Sequence, residues 1–441
     1  MNRHLIFIPR LVDIVFTLPA KRLWLDLLLF AIYLALFCWL VTRVPFFRKS
    51  GLGPILLAIL FLLKVIASML YGWQGLRYSY LIQMGDTWIW HFSSLKGLPL
   101  LKFNPLAFLA DLPRPYQHGY GGFLSSRSSW WNDLHKAMFV KLLTIFNLFS
   151  GSNYYINTVF YSFLTFFGPV ALYRTALHAF GGRRWWLVAG TFLIPSFLYW
   201  GSGIHKDGLA FLGVALLVYE VYFWVKQRSI GWQGIVAALS GCLLLLMYRN
   251  YLLVVLLPAL LVWMMAERIG RKPWLVFLVS YTVFGFAFFT LPLLSPRLDL
   301  PRAVVEKQED FLTLKANSYV PVKKLEPTAA SFLRTAPYAL ELTVLRPFPS
   351  DAKHLFSLAA ALENGALLLL LVASLVWRRP GPPNAFFWFC LFFSLSVFLV
   401  IGYTVNFLGA IVRYRSVVLP FIVLPLLSGF DLARFPKLYN K

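Results

Sequence analysis

Stretch after stretch of about 20 uninterrupted apolar residues runs through this chain, the length a helix needs to cross the hydrocarbon core of a bilayer. Hydrocarbon offers no water to satisfy backbone N–H and C=O groups, so these stretches must be helices with internal hydrogen bonds. The clearest cover residues 23–41, 53–71, 154–173, 185–200, 208–225, 232–247, 251–265, 273–294, 355–377, 385–403 and 411–427. They predict an all-α, polytopic integral membrane protein with about 11, possibly 12, transmembrane helices and two large outer-face loops. With 59% of 441 residues hydrophobic and 13% charged, a soluble enzyme and a disordered chain are excluded. The three cysteines, Cys38, Cys242 and Cys390, each lie inside an apolar span, which excludes a disulfide scaffold and gives no metal-ligand spacing.

Lys and Arg number 41 against 17 Asp and Glu, for a formal charge of +24. In a membrane protein that excess reads first as topology rather than as nucleic-acid binding. Alternating the short loops gathers Arg43, Arg48, Lys49, Arg174, Arg183, Arg184, Lys226, Arg228, Arg268, Arg271, Lys272, Arg378, Arg379, Arg434, Lys437 and Lys441 on one side, the cytoplasmic one by the positive-inside rule. The outer side receives the segments 72–153 and 295–354. An apolar run at 137–149 reads as a surface helix, because counting it as a crossing would invert every later loop. Residues 5–18 are short and broken by Pro9, Arg10 and Asp13, so an interfacial helix is favoured over an extra crossing or a signal peptide. The resulting organisation is an interfacial segment (1–22), two transmembrane helices (23–71), an outer loop with surface helices (72–153), a transmembrane bundle (154–294), a second outer loop (295–354), and C-terminal helices with a cytoplasmic tail (355–441).

Ionisable groups that break the apolar pattern on the outer side are the candidates for chemistry. Asp86, in Gly85-Asp86-Thr87-Trp88, opens the first outer loop; a carboxylate there can deprotonate a hydroxyl acceptor or bind a metal, although Asp before such a run is equally good N-cap chemistry. His205, Lys206 and Asp207 sit in a turn between two apolar spans, with Gly201 and Gly203 allowing close packing. Lys206 offers a point charge for phosphate, and Asp207 can cap the next helix or orient the lysine. Arg249 lies at a tight junction between spans, where a snorkelling anchor is the alternative. Arg413, Tyr414 and Arg415 begin the last span. Two arginines at i and i+2 share no helical face, so either a turn clamps an anion or each arginine meets its own partner. Lys64, Glu220, Glu363 and Asn364 fall within apolar spans, where pairing is favoured over a proton relay because no symmetric pattern of broken helices marks a transporter. His91, His118 and His135 match no short metal motif, and each alone reads first as a hydrogen-bonded surface residue; His91, five residues beyond Asp86, is the one close enough in sequence to share its pocket. Trp73, Trp88, Trp90, Trp130, Trp131, Trp185, Trp186 and Trp200 lie near predicted boundaries and read mainly as an aromatic belt, with sugar stacking by Trp88 or Trp90 as the alternative.

The early Gly85-Asp86 followed by Trp88 and Trp90, the stretch from Pro195 to Asp207, and Arg413-Tyr414-Arg415 with Pro420 together resemble the multi-span bacterial glycosyltransferases of the GT-C superfamily. That resemblance implies a polyprenyl-phosphate-linked sugar donor, a glycan or glycolipid acceptor and transfer on the outer face of the bacterial cytoplasmic (inner) membrane. It maps the catalytic base onto Asp86 and the donor phosphate onto Lys206, Arg249, Arg413 and Arg415, with His205, Asp207 and Tyr414 beside them. Inversion at the anomeric carbon is expected. No Asp-x-Asp or Asp-Glu pair occurs in the first loop, so no metal or other cofactor is expected. Membrane lipids are the expected surroundings, and no nucleic-acid partner is expected. The span at 23–41 precedes the acid, where the family presents its acid after the very first span. That departure fits an O-antigen-type polysaccharide polymerase equally well, and a lipid or lipid-linked sugar transporter is the rival of another class.

Overall fold

A computed structural model describes residues 20–77, 82–113, 129–181, 184–229, 231–295, 299–314, 318–377 and 381–430. The N-terminal stretch 5–18, His118, Arg183, Arg378, Arg379 and the basic tail lie outside them. The helices in chain order are α1 (Ala20–Arg43), α2 (Pro45–Arg48), α3 (Pro54–Arg77), α4 (Ile82–Lys96), α5 (Leu98–Phe103), α6 (Pro105–Ala110), α7 (Trp130–Ser150), α8 (Tyr154–Phe180), α9 (Arg184–Phe192) and α10 (Pro195–Ser202). They continue with α11 (Lys206–Gln227), α12 (Trp232–Tyr248), α13 (Asn250–Ile269), α14 (Pro273–Leu294), α15 (Leu300–Leu312), α16 (Ala329–Leu340), α17 (Leu355–Val376), α18 (Ala385–Thr404), α19 (Leu408–Ser416) and α20 (Leu419–Ser428). Tyr319 and Phe407 form an isolated antiparallel β-bridge. The protein is all-α and membrane-embedded.

Eight helices among the described residues, α1, α3, α8, α11, α13, α14, α17 and α18, are long and apolar enough to cross a bilayer. A ninth crossing results if α19 and α20, bent by 59° at their junction, act together. Two other stretches read from sequence as crossings take different forms. Residues 185–200 form two short helices, because Pro195 has no N–H to continue α9 and instead supplies the first residue of α10. Residues 232–247 form α12, which at 17 residues is shorter than the others. The helix α7, which contains the run at 137–149, is not among the eight. It buries the polar His135, Lys141, Thr144 and Asn147 along with Leu134, Phe139 and Leu143, so it is not apolar all round.

The chain divides into two compact units. The first draws on the chain up to Arg114, on Leu134–Phe167 and on Ser202–Gly208. In it α1 packs on α3 and α3 on α4, around an aromatic cluster in which Phe47 meets Phe167 at 4.4 Å between ring centroids and Phe61 meets Phe166 at 5.8 Å. The second comprises Pro115–Asp133, Gly168–Gly201 and Leu209–Lys441. Its hub is α18, which packs against α13, α14, α15, α16, α19 and α20. Here the region between α14 and α17 finds its core: Val305, Leu325, Phe332 and Ala339 bury against Tyr403 of α18. The buried amide of Gln308 then closes the join, its Nε2 donating to the carbonyls of Tyr403 (2.8 Å) and Lys323 (3.1 Å) and its Oε1 accepting from Leu325 N–H (2.8 Å).

Gly402 lets α18 approach this segment closely, since a Cβ there would stand 2.1 Å from the backbone oxygen of Ala339. Backbone cannot swing aside as a side chain would. Gly402→Ala is therefore expected to destabilise the protein by about 1–3 kcal/mol, read as a lowered unfolding temperature in detergent, whereas Gly285→Ala, with open space around its position, leaves it nearly unchanged.

Candidate functional site

The turn between α10 and α11 is built by crowding, all of it within the first unit. Gly203 lies flat on Tyr71 of α3, where a Cβ would meet ring carbons at 2.5 Å. Lys64 of α3 reaches up to donate to Ser202 Oγ at 3.4 Å. From α8 the Tyr161 hydroxyl donates to the carbonyl of His205. So pinned, the buried His205 sits between two carboxylates: its Nδ1 lies 3.3 Å from Oδ2 of Asp207, and its Nε2 lies 3.8 Å from Oδ2 of Asp86 on α4. Asp207 is 1% exposed and Asp86 40%. One carboxylate thus fixes the imidazole from inside while the other faces outward.

Asp86 is the fifth residue of α4 rather than its N-cap, so helix capping does not explain it. Its neighbours anchor the helix. Trp88 donates from its indole N–H to the carbonyl of Gly72 (2.8 Å) and stacks on Tyr154 with centroids 4.1 Å apart, while Thr87 shares a 2.7 Å hydrogen bond with the Tyr154 hydroxyl. Trp88 is therefore buried structure and has no free face for a sugar. Trp90 carries the Lys206 ammonium 5.3 Å from its ring centroid, a cation–π arrangement that holds this charge beside the His205 turn.

His91 does not share the pocket of Asp86. Five residues further along a helix of 3.6 residues per turn, it points elsewhere, into a buried amide network in which Asn157 lies 3.4 Å from its Nδ1, Asn157 donates to Asn147 (2.7 Å), and Asn147 donates to Ser94 (2.6 Å). Burial pushes its imidazole down to about 4, with a backbone hydrogen bond at Ser152 opposing. His135 is also held down at about 4, by burial and by the charge of Lys206. Among the described residues no three His, Cys, Asp or Glu side chains are arranged to hold a metal ion.

The second unit holds the arginines. Arg249, at the junction of α12 and α13, stacks its guanidinium 4.4 Å from the Tyr414 ring centroid. Arg413 lies 5.5 Å from the centroid of Trp200. Arg415 turns the other way and is buried: its Nη1 donates to the carbonyls of Thr343 (2.8 Å) and Arg346 (2.7 Å), and its Nη2 donates to Asn364 Oδ1. Of the two arrangements open to an Arg-x-Arg pair, each arginine meeting its own partner is the one observed, on a helix rather than in a turn. Sequence reasoning passed over Lys307 of α15, which joins this group. Phe311 meets Tyr414 edge-on at 6.4 Å and Lys307 lies 5.7 Å from the Phe311 centroid. Burial and the neighbouring Arg249 push the Lys307 ammonium down to about 8, against Asp310. Its only sequence signal was a polar helix with aromatic Phe311 four residues on.

The charges within apolar spans are spent on protein partners. Glu363 accepts from Ser196 N–H and Oγ, both at 2.6 Å, and so takes up a free N–H in the first turn of α10. Asn364 holds Arg415 and donates to the carbonyls of Leu345 (3.2 Å) and Pro347 (3.3 Å). Glu220 faces Arg174, whose guanidinium lies over Tyr219. Compared with known protein families, curated proteins and solved structures, the chain matches none of them.

Two neutral buried histidines have a consequence for stability. Both lie below the ordinary histidine value of 6.5, so between about 6.5 and 4 the unfolded chain binds more protons than the folded one and stability falls as pH falls. Each ring contributes up to about 1.4 kcal/mol per pH unit in that window. Unfolding temperature measured in detergent is expected to drop on acidification through it, and less steeply in His91→Asn.

Proposed function

We propose that this protein is a membrane glycosyltransferase of the bacterial cytoplasmic membrane, transferring a sugar from a polyprenyl-phosphate-linked donor to an envelope glycan or glycolipid on the outer face. The observation that carries this reading is the accessible Asp86 carboxylate backed by the buried His205 and Asp207. An exposed acid at a helix surface, held at fixed distance from an imidazole, is suited to general-base work. In the proposed reaction Asp86 takes the proton of an acceptor hydroxyl as its oxygen attacks the anomeric carbon. The bond to the lipid phosphate breaks and the configuration inverts. Lys206, held over Trp90 on the same turn, supplies positive charge where the departing phosphate becomes more anionic. Arg249 and Arg413, each laid on an aromatic ring, are the second unit's candidates for contacts to anionic groups, with Tyr414 as platform and Arg415 ordering the helix that carries them.

The outer-face assignment rests on the basic short loops, and the full set of 11 crossings belongs to the same proposal. It takes α9 with α10 as one broken crossing, α12 as a short one of about 25 Å at 1.5 Å per residue, and α19 with α20 as a bent one. Protein partners for Lys64, Glu220 and Glu363 favour an enzyme over a transporter, which needs intramembrane charges free to change partners.

In cells producing Asp86→Asn at normal levels, mass spectrometry of lipid-linked and envelope glycans is expected to show the same missing sugar as a null strain. Transfer in membranes should fall by about 10²–10⁴-fold, the usual contribution of a general base. Glycans indistinguishable from wild type would end the transferase reading.

A further inference from the structure

We infer that α5 and α6 form a hairpin seated in one leaflet of the bilayer without crossing it, and that the partner of its exposed face is the lipid itself. The inference is independent of the transferase reading. On α5 Leu100 and Phe103 stand at i and i+3, as do Leu106 and Leu109 on α6, so each pair shares a helical face. All four are exposed, Phe103 by 89% and Leu106 by 79%. Contiguous apolar surface of this kind needs an occupant. The other side of α6 is held by the protein. Phe108 is buried, with the Lys141 ammonium of α7 4.3 Å from its ring centroid. Gly97, between α4 and α5, presses on the same place, where a Cβ would stand 3.2 Å from both Phe108 and Thr144 of α7. The hairpin is thus fixed on α7 with its apolar face turned outward.

The contacts of α7 put that face in lipid. The Tyr33 hydroxyl of α1 donates to the carbonyl of Phe149 at 3.0 Å. Phe146 meets Phe160 of α8 with centroids 5.7 Å apart, and Phe160 also meets Tyr33 at 4.8 Å. Tyr33 lies near the middle of the crossing Trp24–Arg43, so the last turn of α7 stands within the depth of the hydrocarbon. The chain then returns toward the start of α1, where Asn153 donates to Asp26 at 3.2 Å. Thr144 and Lys141, which hold the hairpin, lie on the two turns before Phe149. From Lys141 to Ser150 every exposed residue of α7, namely Ile145, Leu148 and Phe149, is apolar. Apolar surface therefore runs from the hairpin along α7 to the lipid-facing side of α1.

The backbone of the hairpin also suits a place without water, where every N–H and C=O needs an internal partner. Pro99 and Pro105 fall in the first turns of α5 and α6, where an N–H would lack one. Asn104 Oδ1 accepts from Ala107 N–H at 3.0 Å. The N–H groups of Asn104 and Asp111 close the two helix ends on Leu100 and Ala107, and Lys141 takes the carbonyl of Phe108. Each helix is about 9 Å long at 1.5 Å per residue, far too short to cross. Lys96 and Lys102 are exposed and have the reach to bring their ammonium groups to phospholipid headgroups. Since α4 runs directly into α5, the leaflet holds the far end of the helix that carries Asp86.

Two measurements on the full-length protein test this. In a background carrying Cys38→Ala, Cys242→Ala and Cys390→Ala, a nitroxide is attached at Phe103→Cys, Leu106→Cys or Leu109→Cys, with Leu36→Cys on α1 as the lipid reference. The protein is reconstituted in vesicles of phosphatidylethanolamine and phosphatidylglycerol. Oxygen, which concentrates among acyl chains, is expected to relax all three labels more than a water-soluble nickel chelate does, at depths of about 5–10 Å below the phosphates. Stronger relaxation by the chelate overturns the inference. So does spin–spin broadening that vanishes on dilution with unlabelled protein, which makes the occupant a second copy, and so does protection from both reagents, which makes it a protein segment. The unaltered protein gives a check free of substitutions. In vesicles containing a phospholipid with a diazirine in its acyl chain, light should attach lipid to residues 98–112 as well as to the crossings. Labelled crossings with an unlabelled 98–112 overturn the inference.

Discussion

Hydrocarbon as solvent is the constraint from which the rest of this structure follows. An unpaired charge or backbone amide in lipid costs several kcal/mol, so every polar group carried into an apolar span needs a protein partner. Four such arrangements are visible: Lys64 with Ser202, Glu363 with the start of α10, Arg415 with the carbonyls of Thr343 and Arg346, and Glu220 facing Arg174. Two of them also sit at breaks in the helical pattern. Glu363 satisfies the new helix start that Pro195 creates, and Arg415 with Asn364 collects carbonyls of residues 343–347, just before α17.

The same constraint explains why polar chemistry concentrates at turns. In the first unit the turn 203–205 is held by Tyr71, Ser202 and Tyr161, so the imidazole it carries has little freedom. Exposure rises from buried Asp207 through His205 to Asp86. In the second unit the arginines divide in kind. Arg415 is consumed by the fold, while the guanidinium groups of Arg249 and Arg413 lie on aromatic faces.

Much of the site was legible as a list and little of it as a geometry. Asp86 and the His205-Lys206-Asp207 turn stood out because ionisable groups are expensive beside apolar spans. That His205 would lie between the two acids was not readable, since the packing of Gly203 on Tyr71 involves residues more than a hundred positions apart. His91 was misjudged for a local reason: nearness in sequence suggested a shared pocket, and helical rotation took the ring to Asn157. Lys307 escaped notice because a lysine on a polar helix is ordinary until Phe311 and Arg249 lie beside it.

The sequence by itself determined the solvent, the all-helical class and the approximate limits of most helices, because apolar length and backbone hydrogen bonding leave no alternative in a bilayer. It also determined which residues were too costly to be idle. Tertiary structure alone decided which of those charges serve the fold and which remain available: Arg415 and Glu363 are enclosed by partners from distant helices, whereas Asp86 keeps an open face. That division depends on long-range packing around α3, α8 and α18, which no local pattern encodes.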